Sequence, residues 1–267
     1  MIPFICCLKK DITEIIRKKR LLLFNSLLLL ICGFVFITTL AFPNLVSLLA
    51  EKAPDIISNG TDIGKIIVKL FPPTLKENIG ILASDIGIFF TIAIALICSN
   101  IIPSEIKNGK WILVIEAGFD HKILLASKIV SYGMCAAIPT FIMYHLYYLA
   151  AGLFLENNYI PTISMINSFV LAFIIFSIAS LTISLSVICK NQVTAAITII
   201  ITVLAAPDIL TMFSFGQYLP THLLTYIYTS SENWREIFMP FCFLMILQIY
   251  CYIHADKKVL KLEIAGS

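Results

Sequence analysis

Leu21–Phe42 reads LLLFNSLLLLICGFVFITTLAF, a run without a single Lys, Arg, Asp or Glu. A bilayer core of about 30 Å is crossed by roughly 20 apolar residues in an α-helix. Inside lipid the backbone has no water to bond to, so a helix that satisfies its own N–H and C=O groups is the expected form. The run is too long for the core of a signal peptide and follows a charged helical segment, so it reads as an uncleaved first span.

Working outward, Leu8, Ile12, Ile15 and Ile16 recur at helical spacing, with Lys9, Lys10, Glu14, Arg17 and Lys18 on other faces. This predicts an amphipathic helix over residues 1–20, lying along the membrane surface. Beyond the first span, residues 43–80 turn polar, with Pro54, Asn59, Gly60, Pro72 and Pro73 as breakers between short apolar runs. An extracellular loop with short surface helices is expected there. Asn59-Gly60-Thr61 fits a glycosylation acceptor and also an Asn-Gly turn, and the turn is preferred.

Further charge-poor runs predict spans over residues 81–102, 129–155, 162–188, 194–215 and 237–254, with 255–267 as a cytoplasmic tail. The expected fold class is therefore an all-α integral membrane protein with six transmembrane helices in residues 21–254. Composition agrees: of 267 residues 59% are hydrophobic and 13% charged, against about a quarter charged in soluble proteins. The net charge of +3 comes with no basic patch for nucleic acid, and only the placement of charge is informative.

With both termini inside, Lys9, Lys10, Arg17, Lys18, Lys19, Arg20, Lys107, Lys110, Lys122, Lys128, Lys190, Lys257, Lys258 and Lys261 are cytoplasmic, leaving Lys52, Lys65, Lys69, Lys76 and Arg235 outside. That asymmetry follows the positive-inside rule and predicts a multi-pass protein of a cytoplasmic membrane. The eight cysteines lie in or near apolar spans without a CxxC pair. They read as small apolar residues rather than a disulfide or metal framework, with acylation of Cys6 or Cys7 as a minor alternative in a eukaryotic cell.

Chemistry-bearing motifs are few. Gly60 to Lys65 lacks phosphate-loop spacing, and Ile66 stands where Ser or Thr would hold magnesium, so the chain is not expected to hydrolyse ATP or to be an enzyme. His121, His145, His222 and His254 are scattered, which argues against an HExxH zinc site. Ionisable groups in spans are functional candidates, here Asp85, His145 and Asp208. Asp85 and Asp208 also read as reaching interfacial water, and His145 as bonding across helices. Ser177, Ser180 and Ser184 form a small polar stripe that allows close helix packing or, alternatively, lines a transport path with His145.

The most specific stretch is Pro103 to Lys128, which includes Glu105, Lys107, Gly109, Lys110, Trp111, Leu113, Glu116, Gly118, Asp120 and Lys122. Pro103 is expected to close the second span, Ser104 to cap a short helix, Gly118 to end it in the left-handed region and Asp120 to cap the third span. Trp111, Leu113, Val114 and Ile115 give that helix surface for docking into a groove or for lying on headgroups.

The run Glu105, Gly109, Leu113, Gly118, Lys122, Lys128 resembles the cytoplasmic signature of type-2 ABC exporter permeases. Lys110 stands where that signature has Thr, Gly118 lies near its Pro, and Lys122 replaces its Arg. An amphipathic N-terminal helix, six spans and the short Lys190-Asn191-Gln192 loop are similar to that family as well.

The resemblance implies a subunit that pairs with a second permease copy, as homodimer or heterodimer, and with two separate ATPase subunits. ATP and magnesium would bind the ATPases, and no cofactor is expected in this chain. Residues 104–128 would be the cytoplasmic coupling segment, with Glu105, Gly109, Trp111, Leu113, Glu116 and Gly118 carrying the coupling. The cargo expected is amphipathic or hydrophobic: an antimicrobial peptide, a drug or a lipid. The alternatives are a secondary transporter or channel, a membrane-bound enzyme, and a structural subunit. Abundant Ile, Lys and Asn suggest an AT-rich bacterial genome.

Overall fold

The computed structural model describes residues 2–52, 75–116, 118–155, 161–189, 191–204, 223 and 234–266. Among them no strand occurs, and the chain is all-α. The helices are α1 (Ile2–Arg17), α2 (Arg20–Lys52), α3 (Leu75–Asp85), a π-helical turn (Ile86–Phe90), α4 (Thr91–Ser99), α5 (Ile101–Lys107), α6 (Lys110–Glu116), α7 (His121–Leu155), α8 (Pro161–Cys189), α9 (Gln192–Leu204) and α10 (Trp234–Gly266).

Among the described residues, five stretches are long and apolar enough to cross a membrane: Arg20–Ala41, Asn78–Lys107, His121–Phe154, Ile163–Cys189 and Ile237–Val259. They mark a multi-pass membrane protein. The expected count of six is not confirmed among the described residues, because α9 has 13 residues, about 20 Å of helix. Residues 205–215 of the expected fifth span lie outside the described residues, as do most of the 43–80 loop and Asp208.

Several boundaries differ from the sequence expectation for physical reasons. Helix α2 runs through Pro43 to Lys52, a stretch in which Leu45, Leu48, Leu49 and Ala50 are good helix formers. Pro103 lies inside α5, and the break falls at Asn100 instead (φ −90, ψ −8); a proline in the first turn of a helix lacks only an N–H that would be unpaired anyway. Ser104 makes no cap and bonds back to the Ile101 carbonyl at 2.9 Å. Helix α7 begins at His121, so Lys122 and Lys128 belong to a membrane helix rather than to a polar connection.

The other punctuation is as the residues dictate. Gly109 (φ +69) and Gly118 (φ +85) take the left-handed conformation that only glycine adopts freely. At Gly118 two bonds close helix α6, Gly118 N–H to the Ile115 carbonyl (2.8 Å) and Phe119 N–H to the Val114 carbonyl (3.2 Å). These are the paired bonds of a Schellman end. Asp120 Oδ1 accepts from the Lys122 N–H at 2.9 Å and caps α7.

Helix α8 is the hub, with 78% of its apolar window buried against 22% for α2 and for α10. It packs on α7, α10, α4 and α9. Close approach to α7 depends on Gly133, where a Cβ would fall 2.6 Å from the Phe176 ring. The outer helices instead present Leu22, Leu29, Phe34 and Ile37 of α2, and Phe238, Ile246 and Ile249 of α10, as exposed apolar surface. In water that surface would be costly; against acyl chains it is the expected exterior.

Three contacts gather one end of the bundle: His121 Nε2 to Asp256 Oδ1 at 3.0 Å, Tyr252 OH donating to the Lys122 carbonyl at 3.2 Å, and Lys258 Nζ donating to the Ile188 carbonyl. The start of α7, the finish of α8 and the later part of α10 therefore share an end, which also holds α1.

Candidate functional site

At that end Lys128 is buried, seven residues after the start of α7. A lone ammonium in an apolar interior is unstable unless paired, and here carboxylates converge on it from two other elements. Lys128 Nζ lies 2.6 Å from Glu105 Oε1 of α5, 2.8 Å from Asp11 Oδ1 of α1 and 3.5 Å from Glu14 Oε2 of α1. The remaining oxygens of the two buried acids are also engaged. Ser127 Oγ donates to Asp11 Oδ2 at 2.5 Å, and Trp111 Nε1 donates to Glu105 Oε2 at 2.9 Å.

The cluster continues outward. Glu14 accepts from Lys18 Nζ at 2.5 Å. Burial by itself favours neutral Glu14, but the Lys18 hydrogen bond and the charges of Lys128, Lys18 and Lys110 outweigh it and lower its pKa from 4.5 to about 2. Arg20 Nη1 donates to Tyr132 OH, with the guanidinium 5.3 Å from the ring centroid. One junction thus joins α1, the α5–α6 segment, the start of α2 and α7.

On α1 the face packed against the bundle is Cys7, Asp11 and Ile15, while Ile12 and Ile16 of the expected membrane-facing stripe are exposed. Burial and the neighbouring Asp11 charge push the Cys7 thiol up, while Cys6 is exposed.

Of the residues expected to carry coupling, Glu105 and Trp111 lie inside this junction. Trp111 is 5% exposed and offers a partner little surface. Gly109 and Gly118 bracket α6, and Glu116 is exposed beside them. Leu113 lies within α6, and its side chain is outside the described residues. Among the described side chains of 107–116, the exposed ones are Lys107, Asn108, Lys110 and Glu116.

The expected transport-path residues are not brought together. His145 Nδ1 meets Ser164 Oγ of α8 at 2.8 Å, and Ser164 precedes Ser177 by about 20 Å of helix. Ser177, Ser180 and Ser184 are buried. Ser177 bonds its own helix at the Phe173 carbonyl, 2.7 Å away, and Ser184 Oγ has no hydrogen-bond partner among the described residues. Asp85 is half-buried beside the π-helical turn.

Asp11 and Ser127 were not singled out by sequence reasoning, and Lys128 was named only as the end of the resembled signature and as a cytoplasmic charge, not as the center of an ionic joint. The available signal was a lysine within an otherwise apolar run, together with an acid at position 11 in register with Cys7 and Ile15. Missed as well was a neutral cluster at the opposite end, where Asn78 Nδ2 donates to Thr39 Oγ1 and Tyr147 OH donates to Asn78 Oδ1. Comparison of the chain with protein-family models, with curated proteins and with solved structures found no match.

Proposed function

We propose that this chain is the membrane-spanning subunit of an ATP-driven exporter, acting with a second permease copy and two separate ATPase subunits. The observation that carries the reading is the buried Lys128 junction. A short helix held between two membrane helices is of use as a lever only if it is fixed to what it must move. Here α6 is fixed through Trp111 and Glu105 to Lys128 of α7 and to Asp11 of α1. A push from a nucleotide-driven partner on the exposed Lys107, Asn108, Lys110 and Glu116 would then shift α1, α5 and α7 together.

Topology supports the same reading. Helices α8 and α10 both finish at the Lys128 end, and α9 leads away from α8. The reading takes a sixth crossing before α10 and places both termini in the cytoplasm. In this reading ATP and magnesium belong to the partner, the membrane is the bacterial cytoplasmic one, and the cargo is amphipathic or hydrophobic.

The test is a photo-crosslinker placed at Lys110, an exposed position, in native membranes. The expected result is labelling from the cytoplasmic side and a crosslink to a nucleotide-binding subunit whose complex with this chain hydrolyses ATP. Reaction of Lys110 only from outside the cell, or a purified native complex without ATP hydrolysis, would overturn the proposal.

A further inference from the structure

Four of the buried hydroxyls of α8 are satisfied within their own helix: Ser168, Ser177, Thr182 and Ser186 each donate to a carbonyl three or four residues back, at 2.7 Å. Ser184 is not. It is 1% exposed, and among the described residues its Oγ has no partner. Gln248 of α10 is in the same position, with its Nε2 buried and unpartnered among the described residues. Polar groups shut away from water and left unbonded are costly, and lipid offers nothing in place of the missing bond.

Both orphans lie on one seam. The rings of Phe173 and Phe241 stack with centroids 4.0 Å apart, so they mark the facing sides of α8 and α10, which run parallel. Ser177, Ser180 and Ser184 follow Phe173 by four, seven and eleven residues, and Gln248 follows Phe241 by seven. At about 100° per residue, each falls within about 40° of the stacked ring of its own helix. Gln248 is therefore level with Ser180, between Ser177 and Ser184, about 10 Å from the stack towards the Lys128 end. A slide of either helix to pair the orphans would break that stack, the bond of Lys258 to the Ile188 carbonyl and the contact of Asp256 with His121.

The seam has a polar mouth and an oily flank. Ser184 lies four residues, about 6 Å, from Ile188, whose carbonyl takes the Lys258 ammonium. Beside the half-buried Gln248, Met245 and Ile249 are exposed apolar surface. We propose that the seam takes in water from the Lys128 end and binds the uncharged polar group of an amphipathic molecule, an amide or a hydroxyl, whose apolar part stays in lipid beside Met245 and Ile249. Such a group accepts from the Gln248 amide, and water or a second hydroxyl spans the step of about 6 Å to Ser184. An ionic group would enter a seam of hydroxyls and one amide without a counter-charge. Calling that molecule the cargo rests on the exporter reading; the site itself does not.

Ser180→Cys and Ser184→Cys are made one at a time in the full chain and treated, in inside-out membrane vesicles, with the water-borne thiol reagent sulfonatoethyl methanethiosulfonate. Peptide mass mapping reads each site separately, so the native cysteines stay, and the fully buried Cys98 of α4 is the dry reference. Both introduced thiols are expected to react about tenfold faster than Cys98, because a hydrated thiol ionises more readily than one in apolar surroundings. Octyl glucoside below its micellar concentration should at least halve both rates, while octanoate and octyltrimethylammonium leave them unchanged. Gln248→Leu raises the octyl glucoside needed for that protection about fivefold, the worth of one hydrogen bond.

Introduced thiols no faster than Cys98 mean a dry interface and overturn the proposal. Equal protection by the two ionic amphiphiles overturns it as well, as does protection that Gln248→Leu leaves unchanged. Reactive thiols that octyl glucoside does not protect reduce the seam to a water site and overturn the assignment of an amphipathic ligand. If a serine variant fails to fold, Gln248→Cys carries the same probe on the opposite wall and decides the matter. No arm uses ATP or a partner subunit, so the outcome is independent of the crosslink at Lys110.

Discussion

The two ends of the helical bundle are tied by different chemistry. At one end α1, α5 and α7 meet through Lys128, Asp11 and Glu105, formal charges buried together. At the other, α2, α3 and α7 meet through Thr39, Asn78 and Tyr147, all neutral. A neutral tie can lose a member and leave an amide or a hydroxyl that turns elsewhere. A buried ionic tie cannot, because removing one member leaves an uncompensated charge. The charged end is thus the more specific joint, and it is the one that holds the short α6 segment.

The largest expected effect is that of Lys128→Met, which leaves Asp11 and Glu105 facing one another without a cation. It should cost about 3–5 kcal/mol, read as a lowered unfolding midpoint in detergent. Trp111→Phe keeps the ring packing and removes only the hydrogen bond to Glu105. A loss of about 1.5–3 kcal/mol is expected in the same assay. At the neutral end Asn78→Leu removes two bonds between helices, and a loss of about 1–2 kcal/mol is expected. If Asn78→Leu proves as costly as Lys128→Met, the contrast between the ends is wrong.

The smallest effect is one of pH. Glu14 has its folded pKa lowered to about 2 from 4.5. Its contribution is therefore fully present above pH 4.5 and is lost as the pH falls towards 2. Because the Lys18–Glu14 pair is solvent-accessible, the contribution is about 0.5 kcal/mol. The midpoint difference between wild type and Glu14→Gln should shrink through that window and stay flat above it.

Five of the spans were legible because lipid demands long runs without charge, and Leu21–Phe42 or Thr162–Ile188 contain none. Gly118 and Asp120 were legible because their roles are local: a backbone conformation and a cap. The junction was not, because it is set by pairings across 116 residues for Ser127 with Asp11 and 23 for Lys128 with Glu105. Positive-inside counting treats Lys128 as one more cytoplasmic charge, while in the fold it is the center of the ionic joint. Asn78 was hidden in the same way, since it falls in the polar stretch before the second span and its partners lie on α2 and α7.

The most direct test of the ionic joint is a double-variant cycle on Lys128 and Glu105, with unfolding free energies measured for Lys128→Met, Glu105→Gln and the pair together. If the two side chains form one buried tie, the double variant is more stable than Lys128→Met alone, because neutralising Glu105 removes an orphaned charge. If instead the two single losses add, Lys128 and Glu105 act independently, and the junction does not bind α5 to α7.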